Sequence, residues 1–184
     1  DSYTGINGTT GVPNAGNALA NDTLNGQPAT VGPTGNTTLA VTTPATPASP
    51  GAPVPSLDPS TGIVSVPPGT PAGPYTIGYN LCEKLNPTNC KPATITVNVD
   101  APPIVATNDN FAGVNGATGN PNVGSAFLAD TVNGSPATSA NATLAVNTPA
   151  TPISGGPVPT LITTPGPTYG DVSVPAGTPA GVYT

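Results

Sequence analysis

The chain of 184 residues is long enough for one large domain or two small ones. Only 5% of its residues are charged, it contains no His and no Arg, and its net charge is −6. Because it has no basic patch, we expect no nucleic-acid partner. No apolar run is long enough for membrane insertion. The scarcity of groups for nucleophilic or acid–base chemistry predicts no catalytic residue and no enzyme activity.

Proline and glycine punctuate the chain, with 27 Pro and 23 Gly among 184 residues. They separate short alternating runs, which favours a folded all-β chain over disorder. In the first half the alternation predicts strands near Ser2–Ile6, Ala15–Ala20, Thr37–Thr43, Ile63–Val66, Pro74–Cys82 and Ala93–Val99. The apolar residues on one face of these strands are expected to form a thin sandwich core. They are Leu39, Val41, Val64, Val66, Tyr75, Ile77, Tyr79, Leu81, Ile95, Val97 and Val99.

An internal repeat with an offset of 108 residues organises the sequence. Val64-Ser-Val-Pro returns as Val172-Ser-Val-Pro, and Asn25-Gly26 returns as Asn133-Gly134, a tight-turn signal in both places. The repeat predicts three parts: a first β domain at 1–100, a Pro-rich linker at 101–108 and a second β domain at 109–184.

The second copy stops before the counterparts of Ile77–Val99, which include the final strands. A sandwich without those strands would expose its core and leave strand edges unpaired. We therefore expect that the native chain continues beyond Thr184. The alternative is that a neighbour supplies the strands by strand complementation.

The two cysteines, Cys82 and Cys90, are separated by seven residues at the end of a predicted hairpin. Without His or further Cys they cannot form a zinc site. The spacing favours a disulfide, and hence an oxidising, extracellular or cell-surface location; two free thiols are the alternative.

Three stretches resemble the tandem Ig-like, cadherin-like repeats of large bacterial extracellular surface proteins of the adhesin or filament type. They are Ala18-Leu-Ala-Asn-Asp-Thr-Leu-Asn-Gly26, the junction ending in Asn108-Asp-Asn-Phe, and Val64–Thr76 followed by Cys82–Cys90. The likeness covers the first copy and everything present of the second. It implies tandem Ig-like antiparallel β-sandwich repeats, the second incomplete, in an elongated extracellular protein.

The same resemblance suggests one metal site. Asp100 and Asp109 bracket the linker, where cadherin-like modules place calcium, and Asn108 and Asn110 would add carbonyl oxygens. Calcium needs six to eight oxygen ligands, and the whole chain has eight acidic residues. Linker-capping and turn roles are therefore the alternative, and we expect no other cofactor.

Two functional hypotheses follow. The first is a structural repeat segment of a bacterial extracellular filament or giant cell-surface protein, whose partners are copies of itself or neighbouring repeats in a fibre. The second is an adhesin module that binds a surface or host ligand with the help of calcium. A fibre should survive chelator and high salt, whereas an adhesin should be monomeric and bind a specific ligand.

Overall fold

The computed structural model describes residues 1–184 and divides into unit 1, Asp1–Pro102, and unit 2, Pro103–Thr184. All regular structure is β, so the all-β prediction is confirmed. No helix is present that could cross a bilayer. The division falls inside the predicted linker 101–108, whose residues Ile104 and Val105 pair with a strand of unit 2.

Unit 1 contains nine strands. They are β1 (Ser2–Asn7), β2 (Val12–Asn17), β3 (Thr23–Leu24), β4 (Gln27–Pro28), β5 (Thr37–Thr43), β6 (Ser56–Leu57), β7 (Ile63–Val66), β8 (Gly73–Glu83) and β9 (Cys90–Asp100). One sheet has the order β1-β9-β8-β5, a second has the order β2-β7-β6, and β3 and β4 form a hairpin. The expected antiparallel pairing holds except that β1 runs parallel to β9.

The core of unit 1 lies between the four-stranded and the three-stranded sheet, because residues of both belong to one buried cluster. The centre of this cluster is Tyr79, Ile77, Ile95, Val64 and Val97, each at most 1% exposed. The two-residue period of the strands predicts that these residues form the core, and their burial confirms this prediction.

Two parts of the sequence interpretation of unit 1 are wrong. Val41 is 37% exposed, because β5 is an edge strand and its register with β8 shifts between Val41 and Thr43. The second strand ends at Asn17 rather than at Ala20, because the Asn17 Oδ1 accepts a 2.8 Å hydrogen bond from the N–H of Leu19 and turns the chain.

Unit 2 contains six short strands. They are β10 (Ile104–Val105), β11 (Asn120–Ser125), β12 (Thr131–Val132), β13 (Ser135–Pro136), β14 (Thr160–Leu161) and β15 (Asp171–Val174). They form two three-stranded sheets, β10-β12-β13 and β11-β15-β14.

The sheet β11-β15-β14 repeats β2-β7-β6 residue by residue. Gly16 pairs with Val64 as Gly124 pairs with Val172, and the register shifts at the same place in both sheets. The shift lets an aromatic ring, Tyr3 in unit 1 and Phe111 in unit 2, lie against the glycine where a Cβ would otherwise stand. The hairpin β3–β4 is likewise repeated by β12–β13, with Asn25 and Asn133 at positive φ as the Asn-Gly turns predict.

Unit 2 has no equivalent of the four-stranded sheet of unit 1. Residues 110–115 correspond to β1 and residues 142–148 to β5, yet neither segment forms a strand. In unit 1 those strands pair with β9 and β8, and unit 2 has no residues corresponding to Ile77–Asp100 to pair with them. The apolar residues of unit 2 are accordingly half-buried or exposed, apart from Ala137.

Candidate functional site

The predicted disulfide is present and joins Cys82 to Cys90. The two residues lie directly opposite each other at the loop end of the β8–β9 hairpin, with their Cα atoms 4.0 Å apart. The bridge therefore closes the loop 83–89 at the end of the hairpin, where the sequence predicted it.

The loop beyond the disulfide is held by polar contacts. The carboxylate of Glu83 accepts hydrogen bonds from the side-chain amides of Asn86 (2.7 Å) and Asn89 (2.9 Å). The Nζ of Lys84 donates to the backbone carbonyls of Gly32 (3.0 Å) and Pro33 (2.7 Å). These charged groups fasten the hairpin end to its own unit, and we assign them no role in ligand chemistry.

The two residues proposed for calcium lie in different units. Asp100 ends β9 of unit 1, whereas Asp109 belongs to unit 2. Burial, followed by the nearby carboxylate of Asp130, raises the pKa of Asp109 above its usual range. No group of three or more His, Cys, Asp or Glu side chains in residues 1–184 is placed to hold a metal ion. Calcium binding at Asp100 and Asp109 stays a prediction.

A buried tyrosine makes the main polar contact of the unit 1 core. The hydroxyl of Tyr79 lies 2.9 Å from the Oδ2 of Asp22 and 3.1 Å from the carbonyl oxygen of Ala18, so these two acceptors share its proton. Burial, then the hydrogen bond to Asp22, raises the pKa of Tyr79 far above its usual range. Tyr79 is therefore a neutral, hydrogen-bonded residue of the core, as the sequence predicted.

Unit 2 carries a groove of about 990 Å³. One wall is the segment 109–117, the other is the segment 177–183, and the floor includes Val172 and Val174 of β15. The groove is thus lined by residues of both segments and by β-branched residues of β15. It has no charged group except Asp109 at its end.

The same place in unit 1 is filled by β9. There Tyr3 and Ile6 of β1 pair with Val97 and Val99 on one side, and on the other side Tyr75 of β8 pairs with Val97. With the offset of 108, these neighbours correspond to Phe111, Val114 and Tyr183, all of which line the groove. The groove is therefore the β9 position of unit 2.

Part of this site was foreseen from the sequence. The repeat predicted that a second copy without the counterparts of Ile77–Val99 would expose its core and its strand edges. It did not identify the groove walls, because the strand next to β9 is β1, which lies more than 90 residues away in the sequence. The pairing of β9 with β1 and β8 in unit 1 identifies these walls, because the counterparts of the residues that flank β9 must flank an open position in unit 2.

Comparisons with family models, with curated proteins and with solved structures find no match to this chain. The functional argument therefore depends on the repeat, the disulfide and the groove.

Proposed function

We propose that the chain is a structural repeat segment of a bacterial extracellular filament or giant cell-surface protein. The observation that carries this proposal is that one β ladder is built twice in series, with the same pairs and the same register shift in both copies. Repeating one unit along a chain is the way in which proteins build length rather than a unique active site.

We infer that each repeat is Ig-like. The support comes from unit 1, where a four-stranded and a three-stranded sheet enclose one core and a disulfide closes the end of the longest hairpin. A disulfide persists in oxidising compartments, which favours a location outside the cytoplasm.

The chemistry of the surface supports a passive role. Two lysines and eight acidic residues leave few titrating groups, so association through this surface should depend little on salt or pH. Partners of the same kind, namely copies of the chain or neighbouring repeats, fit such a surface better than a charged ligand does.

The test is immunogold labelling, with an antibody against residues 1–184, of cells that produce the protein. We expect label along surface filaments that persist in chelator and in high salt. Label confined to the cell interior would refute the proposal. Release of a monomer by chelator, together with binding of that monomer to a specific surface, would favour the calcium-assisted adhesin instead.

A further inference from the structure

We propose that the edge strand β5 of unit 1 is a self-association site, at which β5 of a second copy of the chain pairs antiparallel about a two-fold axis at Ala40. The pairing would join the two four-stranded sheets into one continuous sheet. This inference deepens the proposed structural function by naming the surface through which copies meet. It rests on that function only for its place in a filament.

The outer side of β5 is free to pair. In the sheet β1-β9-β8-β5 this strand has one neighbour, β8. Outside that ladder only the N–H of Thr37 makes a main-chain hydrogen bond, which is 2.9 Å long and goes to the carbonyl of Thr30. Thr38 and all residues from Ala40 to Thr43 are exposed. The N–H and C=O groups that point away from β8 are therefore open to another strand.

The strand lacks most of the devices that keep edge strands apart. Proteins protect such edges with charged side chains, proline, short strands or bulges. β5 is seven residues long and contains neither a charged residue nor a proline. Its register with β8 shifts only between Val41 and Thr43, so the stretch from Thr37 to Val41 is regular. β5 is therefore a template for pairing.

The sequence of β5 has the same pattern of residue types from either end. It is Thr-Thr-Leu-Ala-Val-Thr-Thr. An antiparallel pair centred on Ala40 places threonine opposite threonine, Leu39 opposite Val41 and Ala40 opposite itself. Threonine pairs directly opposite each other stabilise antiparallel sheets. A two-fold interface requires this self-complementarity, so the pattern identifies a second copy of β5 as the occupant.

The exposure of Val41 is an independent reason for pairing. By the two-residue period Val41 lies on the same face of β5 as Leu39, yet Val41 is 37% exposed and Leu39 is 7% exposed. In the paired arrangement Val41 lies opposite Leu39 of the second copy on that face. Both side chains then lose apolar surface to the contact, which favours association.

The charges near β5 do not oppose the arrangement. Glu83 lies opposite Thr37, and the N–H of Lys84 donates a 3.0 Å hydrogen bond to the carbonyl of Asn36. The two-fold axis places this end of β5 beside the other end of the second copy, and residues 38–57 contain no charged residue. Like charges are therefore not brought together across the axis.

The expected contact is weak, because each copy contributes a single strand edge. Such a contact is smaller than the interface of a stable dimer, so we expect association at high protein concentration. In a protein with many repeats, several such contacts between two chains would act together and hold more firmly than one.

The first test is sedimentation equilibrium of the full chain 1–184 from about 10 μM to about 1 mM, the range suited to a weak contact. We expect a reversible monomer–dimer equilibrium, with slower amide exchange at residues 38–42 in the dimer. Val41→Lys, which puts a charge on the edge, should weaken the dimer at least about 10-fold. The control Thr4→Lys, at an exposed position of the opposite edge strand β1, should leave it unchanged. Amide exchange in β8 and β9 reports whether each variant is folded.

Cysteine cross-linking tests the position of the axis. Both native cysteines are already joined, so an added cysteine is the one free thiol. Ala40→Cys should form a disulfide-linked dimer, because residues directly opposite in an antiparallel pair have Cα atoms about 4.5–5.5 Å apart. Thr38→Cys, in the same strand and also exposed, should not, because the two copies of residue 38 would lie about 13 Å apart along the ladder.

A chain that stays monomeric up to the highest concentration, without slower exchange at residues 38–42, overturns the proposal. A dimer that Val41→Lys leaves intact also overturns it, and so does equal cross-linking by Ala40→Cys and Thr38→Cys. None of these results bears on filament localisation, which the immunogold experiment tests separately.

Discussion

Unit 1 and unit 2 each contain the same kind of three-stranded ladder, which is β2-β7-β6 in unit 1 and β11-β15-β14 in unit 2. The two units differ in what covers this ladder. In unit 1 the sheet β1-β9-β8-β5 lies over the ladder, and Val64 and Val66 are buried. In unit 2 no such sheet forms, and Val172 and Val174 are half-buried. The ladder thus forms without the covering sheet, whereas the closed core depends on β8 and β9.

The largest change in unit 2 is expected when equivalents of β8 and β9 are added to it. Appending a copy of residues Ile77–Asp100 after Thr184 should convert residues 110–115 and 142–148 into strands. Unit 2 should then gain several kcal/mol in free energy of unfolding, on the order of 5, as expected for a newly closed small core. Hydrogen exchange and chemical denaturation measure both changes.

The control graft carries Ile95→Asn and Val97→Asn in the appended copy alone, which puts polar groups where the core would close. If the two grafts gave equal stability, the missing strands would not be the reason for the difference between the units.

A matched pair of core truncations sharpens the comparison. Val64→Ala removes two methyl groups from a position that is 0% exposed, so unit 1 should lose about 2–3 kcal/mol in free energy of unfolding. Val172→Ala, at the equivalent half-buried position, should cost unit 2 less than about 1 kcal/mol. Equal losses would mean that the groove of unit 2 is closed in solution.

The disulfide acts on one unit only. Replacing both Cys82 and Cys90 by Ala should lower the free energy of unfolding of unit 1 by about 2–3 kcal/mol, since the bridge closes a short loop in the unfolded chain. Amide exchange in β11 and β15 of unit 2 should not change. A faster exchange there would show that the stability of unit 2 depends on unit 1.

The hydroxyl of Tyr79 contributes less. Tyr79→Phe keeps the ring in the core but removes the donor to Asp22 and Ala18, and should cost unit 1 about 1–2 kcal/mol in a denaturant titration. Asp22→Asn keeps an acceptor oxygen at that position and should cost less. If Asp22→Asn were the more damaging change, the carboxylate charge would matter more than the hydrogen bond.

The smallest effect is an opposite response of the two units to acid. Hydrogen bonds from Ser60, then from Thr61, lower the pKa of Asp58, so its contribution to unit 1 is present at neutral pH and is lost as the pH falls through its pKa. The raised pKa of Asp109 favours the protonated form in folded unit 2, so its contribution is present at low pH and is lost as the pH rises through that pKa.

Amide exchange of each unit between about pH 3 and 6 measures this difference. Asp58→Asn should flatten the response of unit 1, and Asp109→Asn should flatten that of unit 2. A response that survived both substitutions would have to come from other carboxylates.

Much of the local structure could be predicted from the residues. The alternation of Tyr75, Ile77 and Tyr79 predicted a buried face on β8, and the Asn-Gly pairs predicted two tight turns. Both features depend only on residues that are close in the sequence, namely the two-residue period of a strand and the positive φ that Asn-Gly accepts. The parallel pairing of β1 with β9 could not be predicted, because it joins residues more than 90 positions apart and has no local signature.

The sequence by itself determined the β periodicity, the turns, the cysteine spacing and the repeat, since each depends on residues close in the chain or on self-similarity. Only the tertiary structure decided which strand-like segments become strands. Leu39-Ala-Val lies in β5, yet the identical Leu144-Ala-Val forms no strand. The physical reason is that a strand needs a partner for its N–H and C=O groups and a core for its apolar face, and in this chain β8 and β9 provide both.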